Sequence, residues 1–408
     1  MREARLLLSQ PTGVKEENRL KIIRALMCHP DTRAELALRT SLSPSTVSKA
    51  VSGLVDDEIA EAPGGRNGIV RLAKITGVAV GISLGFWHTT VIARGFHHHY
   101  EDARKRVIDV GVESGVAAWL HEVVAAVESL AMEVERHADI VTVGMAVPAK
   151  VNPRNHRLVH RPPWANGEDD LALRVRESLR TAIMKTQGPQ AWCPRVVMDS
   201  DTNLGALAER TYRHQQQETL VYVMSSTHVD AGVIIGDLLI RGRRGAVANI
   251  GHHAIRADGL LCWCGRKGCL ERYIGAEAVL EDVRRARGVT RRETLRSLVD
   301  VVGGANRNDP VCIGALRHAA TLLGEGLAVV RDILDPNVII LAGDLAEGRE
   351  LVLKHCREAL ERSAAPAEEG EGHELDVVWS TLPDAPAQGA LLLGIRGPAL
   401  DAEFSPSE

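Results

Sequence analysis

The sequence predicts an N-terminal winged helix-turn-helix joined to a longer α/β body that holds a structural zinc site. Three observations carry that prediction. Within residues 1–76 a well-capped helix follows a very short turn and precedes a glycine-tipped hairpin. From Val78 onward short apolar strands alternate with longer helical patterns, which is the order of an α/β protein. From His252 to Cys269, His252 and three cysteines at close spacing fall within eighteen residues.

The head opens on Asn18 to Cys28, where Leu20, Ile23 and Met27 share one face and predict a first helix. Thr32 and Glu35 form a T-x-x-E capping box, which starts a short second helix ending near Thr40 and Ser41. In the third helix Ser43 is the N-cap and Pro44 the first helical residue, and Val47, Ala50, Val51, Leu54 and Val55 make one apolar face. Its other face presents Ser45, Thr46, Ser48, Lys49 and Ser52, short donors and one cation suited to base edges and phosphates in a major groove. This is the expected recognition helix, with Ser43, Ser45, Thr46, Ser48 and Lys49 as candidate DNA contacts. Ile59 to Leu72 reads as a two-stranded wing tipped by Gly64, Gly65, Arg66 and Asn67, and Arg66 is a candidate for a minor groove or a phosphate. The short turn and the wing distinguish this head from an ordinary three-helix bundle with a solvated polar face.

In the body, Val78 to Gly85 and His88 to Phe96 read as strands, Gly115 to His137 as a helix and Ile140 to Val147 as a buried strand. The alternation continues to the apolar run Val338 to Leu341 and a last helix near Gln388 to Ile395. His252, Cys262, Cys264 and Cys269, spaced H-x9-C-x-C-x4-C, match the tetrahedral N/S set of Zn²⁺, with Gly265 and Gly268 allowing the backbone to fold around it. Four protein ligands leave no open position, so the metal is expected to be structural. His97, His98 and His99 are read instead as a solvated loop tip, because adjacent side chains on a strand cannot converge on one ion. The acidic stretch 364–374 is likewise read as a surface loop.

Composition narrows the partners. The chain of 408 residues exceeds one ordinary core. Residues 1–76 hold 12 Lys and Arg against 9 Asp and Glu, a net +3; the whole chain is at −4, which leaves −7 on the remainder. A basic head on an acidic body points to nucleic acid at the head alone. Cys28, Cys193, Cys312 and Cys356 are scattered, which suits a reducing compartment better than a disulfide framework. No run approaches the ~20 apolar residues of a membrane span, and no secretory signal opens the chain, so the expected location is cytoplasmic, without a membrane partner.

The order GH, about ten residues, then CxCGxxGCxE, is the motif of the ROK family (repressors, open reading frames, sugar kinases). The chain resembles that family's regulators over nearly its whole length. Their wing usually reads GRP, where this one reads GRN at Gly65 to Asn67. The resemblance implies a two-lobed sugar-kinase and actin-like body: lobe 1 over 77–190 with the C-terminal helix 386–400, and lobe 2 over 191–385 with the zinc site. It also supplies motifs to compare. The first phosphate turn, Asp-x-Gly-Gly-Thr in the kinases, here has Ser83 for Asp and Phe86 and Trp87 for the second Gly and Thr, with Gly85 kept. The glycine-rich second loop reads Ser226 to Gly232 and places Asp230 against phosphate; the adenosine loop reads Leu341, Ala342, Gly343, Asp344.

By the same resemblance Asp201 stands at the general-base position, with Asn203 two residues on, and Ser200 replaces the usual Asn before it. Without a phosphate site a base has nothing to catalyse, so Asp201 is read as a relic that binds ligand rather than as a catalytic residue. Asn249, His252 and Glu271 match sugar-contacting positions, His252 serving both metal and ligand, and Arg161 to Trp164 stand where an Asn-containing segment is common. The expected function is a DNA-binding transcriptional regulator, a repressor of carbohydrate-related genes, that senses a sugar or sugar derivative. It would act on a double-stranded operator as a homodimer or homotetramer. Two alternatives stay open: an active ATP-dependent sugar kinase that also binds DNA, and a DNA-binding protein whose body is a ligand-free oligomerisation scaffold.

Overall fold

The computed structural model describes residues 13–28, 30–73, 77–96, 98, 100–136, 139–159, 162–165, 167–168, 170–189, 191–215, 217–236, 238–288, 297–363 and 375–396. Outside them fall His97, His99, Arg161, the 74–76 junction and the acidic 364–374 stretch, so the expectations placed there are not addressed; the side chains of Met27 and Arg66 are outside as well.

Helix α1 (Val14–Cys28) starts earlier than its apolar pattern suggests, because Gly13 O accepts from the Glu16 and Glu17 N–H groups. Strand β1 is Asp31–Thr32, and Thr32 then caps α2 (Arg33–Thr40). The capping box is reciprocal: Thr32 Oγ1 accepts from Glu35 N–H, and the Glu35 carboxylate accepts from Thr32 N–H at 2.9 Å. Ser41, left-handed at φ 53°, ends α2, and after two more residues Ser43 caps α3 (Pro44–Asp56). Val47, Val51 and Leu54 are fully buried, as the spacing predicts. The small sheet of the head has one strand more than the two expected of a wing. β2 (Ala60–Glu61) and β1 both pair antiparallel with β3 (Ile69–Leu72), in the order β1-β3-β2. A two-residue strand shows no alternation, so the sequence pattern could not reveal β1.

The chain divides into two compact units, residues 1–204 with 243–245 and 386–408, and residues 205–242 with 246–385. The first unit holds the head and a five-stranded sheet built from β4 (Val78–Leu84), β5 (Thr89–Gly95), β6 (Arg104–Ile108), β7 (Ile140–Val147) and β8 (Arg195–Ser200), ordered β6-β5-β4-β7-β8. β7 is buried along all its length, as a central parallel strand requires. Helices α4 (Val116–Val134) and α5 (Leu171–Gln187) bury Trp119, Val123, Val175 and Leu179 in one core cluster with β4 and β7. Trp119 Nε1–H donates to the buried Thr89 Oγ1 at 3.0 Å. The lobe boundary expected at 190 shifts. β8 registers against β7 from Thr142↔Arg195 to Val147↔Ser200, so the first unit runs on to Leu204.

The second unit repeats the same sheet plan. Helix α6 (Asp201–Tyr212) leads into it, followed by β9 (Thr219–Ser225), β10 (Val229–Ile235), β11 (Leu238–Leu239), the short α7 (Glu271–Ile274), α8 (Ala276–Ala286), α9 (Leu298–Asn306), α10 (Pro310–Leu334), β12 (Val338–Ala342), α11 (Arg349–Arg362) and β13 (Asp376–Trp379). The strand order is β11-β10-β9-β12-β13. In both sheets two antiparallel pairings are followed by two parallel crossovers, so one topology occurs twice. α10 is long and apolar enough to cross a membrane by length and composition, yet it lies in the core of this unit, with Leu316, Ala320, Leu323 and Leu327 buried.

The last helix, α12 (Ala385–Arg396), packs on the first sheet. Glycine makes that contact possible: a Cβ on Gly81 would sit 2.3 Å from Ala387 O, and one on Gly144 1.7 Å from Ala390 O. Leu391 and Ile395 of α12 join Ala79, Ile92 and Phe96 and the head residues Leu36, Val47, Leu54 and Val70 in one buried cluster. The head therefore shares a core with the body of its unit.

Candidate functional site

The residues between β11 and α7 form a knuckle. Ile250–His252 is a single 3₁₀ turn entered from Asn249, and Gly251 fits there because a Cβ would lie 2.0 Å from Val229 O. Farther on the backbone folds back on itself: Cys262 N–H donates to Arg266 O, Gly265 N–H to Cys262 O, and Ala254 pairs with Cys269 across an isolated bridge. Gly268 is left-handed at φ 73°, and a Cβ there would strike Arg256 O at 1.6 Å. His252, Cys262, Cys264 and Cys269 converge, with their ligand atoms all within 4.8 Å of one another.

These distances test the fit to a metal. Bonds of about 2.3 Å to sulfur and about 2.0 Å to nitrogen in a tetrahedron imply edges of about 3.8 Å between sulfurs and about 3.5 Å from sulfur to nitrogen. Cys264 Sγ and Cys269 Sγ are 3.7 Å apart, and His252 Nδ1 is 3.5 Å from Cys262 Sγ. The chemistry agrees. Burial pushes the Cys269 thiol up to about 12 and raises that of Cys262; at Cys264 burial also raises it, but hydrogen bonds with Arg266, Cys262 and Cys269 together lower it on balance. Three adjoining thiols of this kind become thiolates together only around a cation. The residues fit a tetrahedral dication.

Glu271, the first residue of α7, lies beside the knuckle. Its Oε2 accepts from Val229 N–H at 3.1 Å and its Oε1 from Trp263 Nε1–H at 2.6 Å. The Trp263 ring meets His252 edge to face, with centroids 4.8 Å apart at 74°. His252, Glu271 and Asn249 are thus held in one neighbourhood of the second unit. The spacing pattern did not single out Trp263, since a residue between two metal ligands carries no periodicity.

Ser200 and Asp201 belong to the first unit, at the end of β8 and the start of α6. Both are buried, and Ser200 is largely committed to structure: its Oγ accepts from Asn203 N–H at 3.3 Å and lies 2.8 Å from Thr202 Oγ1. Asp201 Oδ1 accepts from Thr202 N–H at 2.7 Å. The helix-capping hydroxyl is therefore that of Ser200, and Asp201 is the first helical residue.

In the second unit, the loops around Ser226 and Gly343 are tied together. Asp344 N–H donates to Ser226 Oγ at 3.0 Å, and a Cβ on Gly343 would contact Ser225 O and Ser226 Oγ at 2.7 Å. Asp230 is 5% exposed within β10. In the first unit, the β4–β5 turn carries Phe86 packed edge-on against Trp87 at 4.9 Å.

On α3, Ser43 Oγ accepts from Thr46 N–H at 3.2 Å and lies 3.0 Å from Ser45 Oγ and 2.8 Å from Thr46 Oγ1. The Ser43 hydroxyl caps the helix and lies near the hydroxyls of both Ser45 and Thr46; Ser43, Ser45 and Lys49 are exposed, and Thr46 and Ser48 half-buried. The wing tip is tied to the head, because Arg33 Nη1 donates to Gly65 O at 2.7 Å.

A duplicated α/β body with a Cys₃His knuckle, led by three helices and a small sheet, defines the class of protein. Residues 80–396 match the ROK family, and the chain belongs to it. It is 23% identical over 412 residues to the xylose repressor of Bacillus subtilis (strain 168), covering 97% of each chain. It is 21% identical over 401 residues to the DNA-binding transcriptional dual regulator NagC of Escherichia coli (strain K12), covering 93% of this chain and 92% of that one. A solved ROK family transcriptional regulator, a homologue of the E. coli MLC protein, superposes with a TM-score of 0.70 at 19% identity, covering 94% of this chain and 97% of its own.

Proposed function

We propose that the protein is a sugar-responsive transcriptional repressor that binds a double-stranded operator through its head and a sugar or sugar derivative through its ROK body. One observation carries the reading: a three-helix, three-stranded head is joined to the ROK body, and the sequence similarity to the xylose repressor runs through both, over 97% of each chain. The head acts as a winged helix-turn-helix with α3 in the major groove. Ser43, Ser45, Thr46, Ser48, Lys49 and Arg66 are assigned to the DNA interface, with Ser43 also capping the helix. The knuckle holds Zn²⁺ structurally and orients His252 and Glu271, which with Asn249 serve the effector. A single recognition helix per chain gains affinity and spacing specificity by pairing, which requires a homodimer or homotetramer.

Phosphoryl transfer does not fit this body. Catalysis of that reaction is positioning and charge stabilisation of the phosphates, and Ser83, Asp230 and Asp344 remove or oppose those contacts. Retained Asp201 is the feature that favours the kinase reading, and a coupled ATPase assay with D-glucose or D-xylose addresses it: sustained turnover would restore the enzyme. The proposal itself is tested on a duplex recovered by in vitro selection against the purified protein. Lys49→Ala weakens binding and lowers the dependence of log K on log salt by about one contact. An unchanged salt slope would remove Lys49 from the interface.

A further inference from the structure

Trp263 is 52% exposed, although its ring is held at two points. Its N–H is given to Glu271 Oε1 at 2.6 Å and its ring stands edge to face with His252. Its backbone is held on both sides as well, since Cys262 and Cys264 are two of the four converging ligands. Exposed Leu260 and Leu261 lie close by in the chain, but an aliphatic side chain offers neither a polar tether nor an aromatic face. A half-exposed tryptophan whose one donor is already satisfied leaves a flat apolar face and needs no water at its edge.

We propose that Trp263 is the stacking wall of the effector site and determines which ligands that site accepts. The proposal rests on the reading of Glu271 and His252 as effector contacts. A sugar ring has hydroxyls at its edge and C–H groups on its faces, so a site for it needs acceptors beside a flat apolar surface. Glu271 and Trp263 provide this pair. The carboxylate accepts one bond at each oxygen, from Val229 N–H and from Trp263, and keeps a further lone pair on each for sugar hydroxyls. The hydrogen bond that orients the indole also fixes its distance from that acceptor. Ordering of both groups is complete before the ligand arrives, which is the condition for a small polar ligand to bind well. The ligand class is a neutral monosaccharide or its N-acetyl derivative, because a carboxylate at the edge of the wall repels an anionic substituent there.

The test uses the full-length, zinc-loaded protein and three probes, D-xylose, D-glucose and N-acetyl-D-glucosamine, titrated separately by calorimetry and by tryptophan fluorescence. Trp263→Phe keeps a ring and loses the N–H; Trp263→Ala loses both. At least one probe binds the unaltered protein, W263F binds it within about threefold, and W263A about tenfold or more weakly, in line with the loss of an aromatic face. The sugar-induced fluorescence change of the unaltered protein disappears in W263F. If W263A does not retain zinc, W263F and the fluorescence change decide alone. Equal affinity of W263A and the unaltered protein would overturn the stacking role while leaving the sugar reading intact. A loss in W263F as large as in W263A would overturn it in favour of the N–H tether to Glu271. Silence of all three probes on the unaltered protein would overturn the sugar reading, and the wall with it.

Discussion

Glu209, on α6 in the second unit, has a side chain with no exposure. Its Oε1 accepts from Ser380 Oγ–H at 2.6 Å, its Oε2 has no hydrogen-bond partner among the described residues, and His214 Nε2 lies 3.8 Å away. Burial raises the carboxyl above its ordinary 4.5, against the lowering influence of Ser380, the Leu382 N–H and Arg213. Burial lowers His214 below its ordinary 6.5, with Asp376 opposing and Arg213 assisting. The signs differ. The folded state holds the Glu209 proton longer than the unfolded chain, so stability falls as pH rises from 4.5 toward the raised value, by at most about 1.4 kcal/mol per pH unit. His214 takes up its proton in the unfolded chain first, so its contribution is complete above 6.5 and is lost on acidification. Glu209→Gln removes only the first effect, and the Tm of the variant relative to the unaltered protein climbs as pH rises from 4.5 to 8. A difference that stays flat across that range would contradict the assignment. At this scale some roles were legible in the sequence and others were not. His252, Cys262, Cys264 and Cys269 were legible because the ligands are close in sequence and their chemistry is restrictive. Glu209 and Trp263 were not, because each depends on partners that only folding brings near: Ser380 and His214 for one, Glu271 for the other.

Among the elements, the knuckle is the one whose stability the proposed metal would affect most. Its backbone turns at Gly265 and Gly268 and has few buried apolar side chains of its own beyond Cys262 and Cys269. Removal of the metal with a chelator is expected to lower the Tm by several degrees and to make three more thiols reactive toward a disulfide reagent. A protein purified without bound zinc, and indifferent to chelator, would contradict the fit. Capped helices were the elements best seen from sequence. The Thr32–Glu35 box and the Ser43–Pro44 start appear as expected, since both are local bonds. β1 and the placement of β8 were not visible, because a strand's partners are set by distant residues such as Ile69 and Thr142. The glycines under α12 were similarly silent: Gly144 reads as a weak strand residue until Ala390 O is placed against it.

At the scale of the whole molecule, the α/β class was legible in the sequence, while the repeat of one sheet topology emerged only from strand pairing. The core of the head continues into α12 and the first sheet of its own unit. The central claim is that DNA binding and sugar binding are linked in one chain. Linkage requires each ligand to change the affinity of the other by the same factor. The most direct measurement is fluorescence anisotropy of the zinc-loaded protein on its selected duplex, with and without saturating D-xylose, D-glucose or N-acetyl-D-glucosamine. Binding is expected to be salt-sensitive, with its affinity shifted about fivefold or more by one of the three sugars. Binding that is identical with and without every sugar, or no binding to the duplex at all, would contradict the claim.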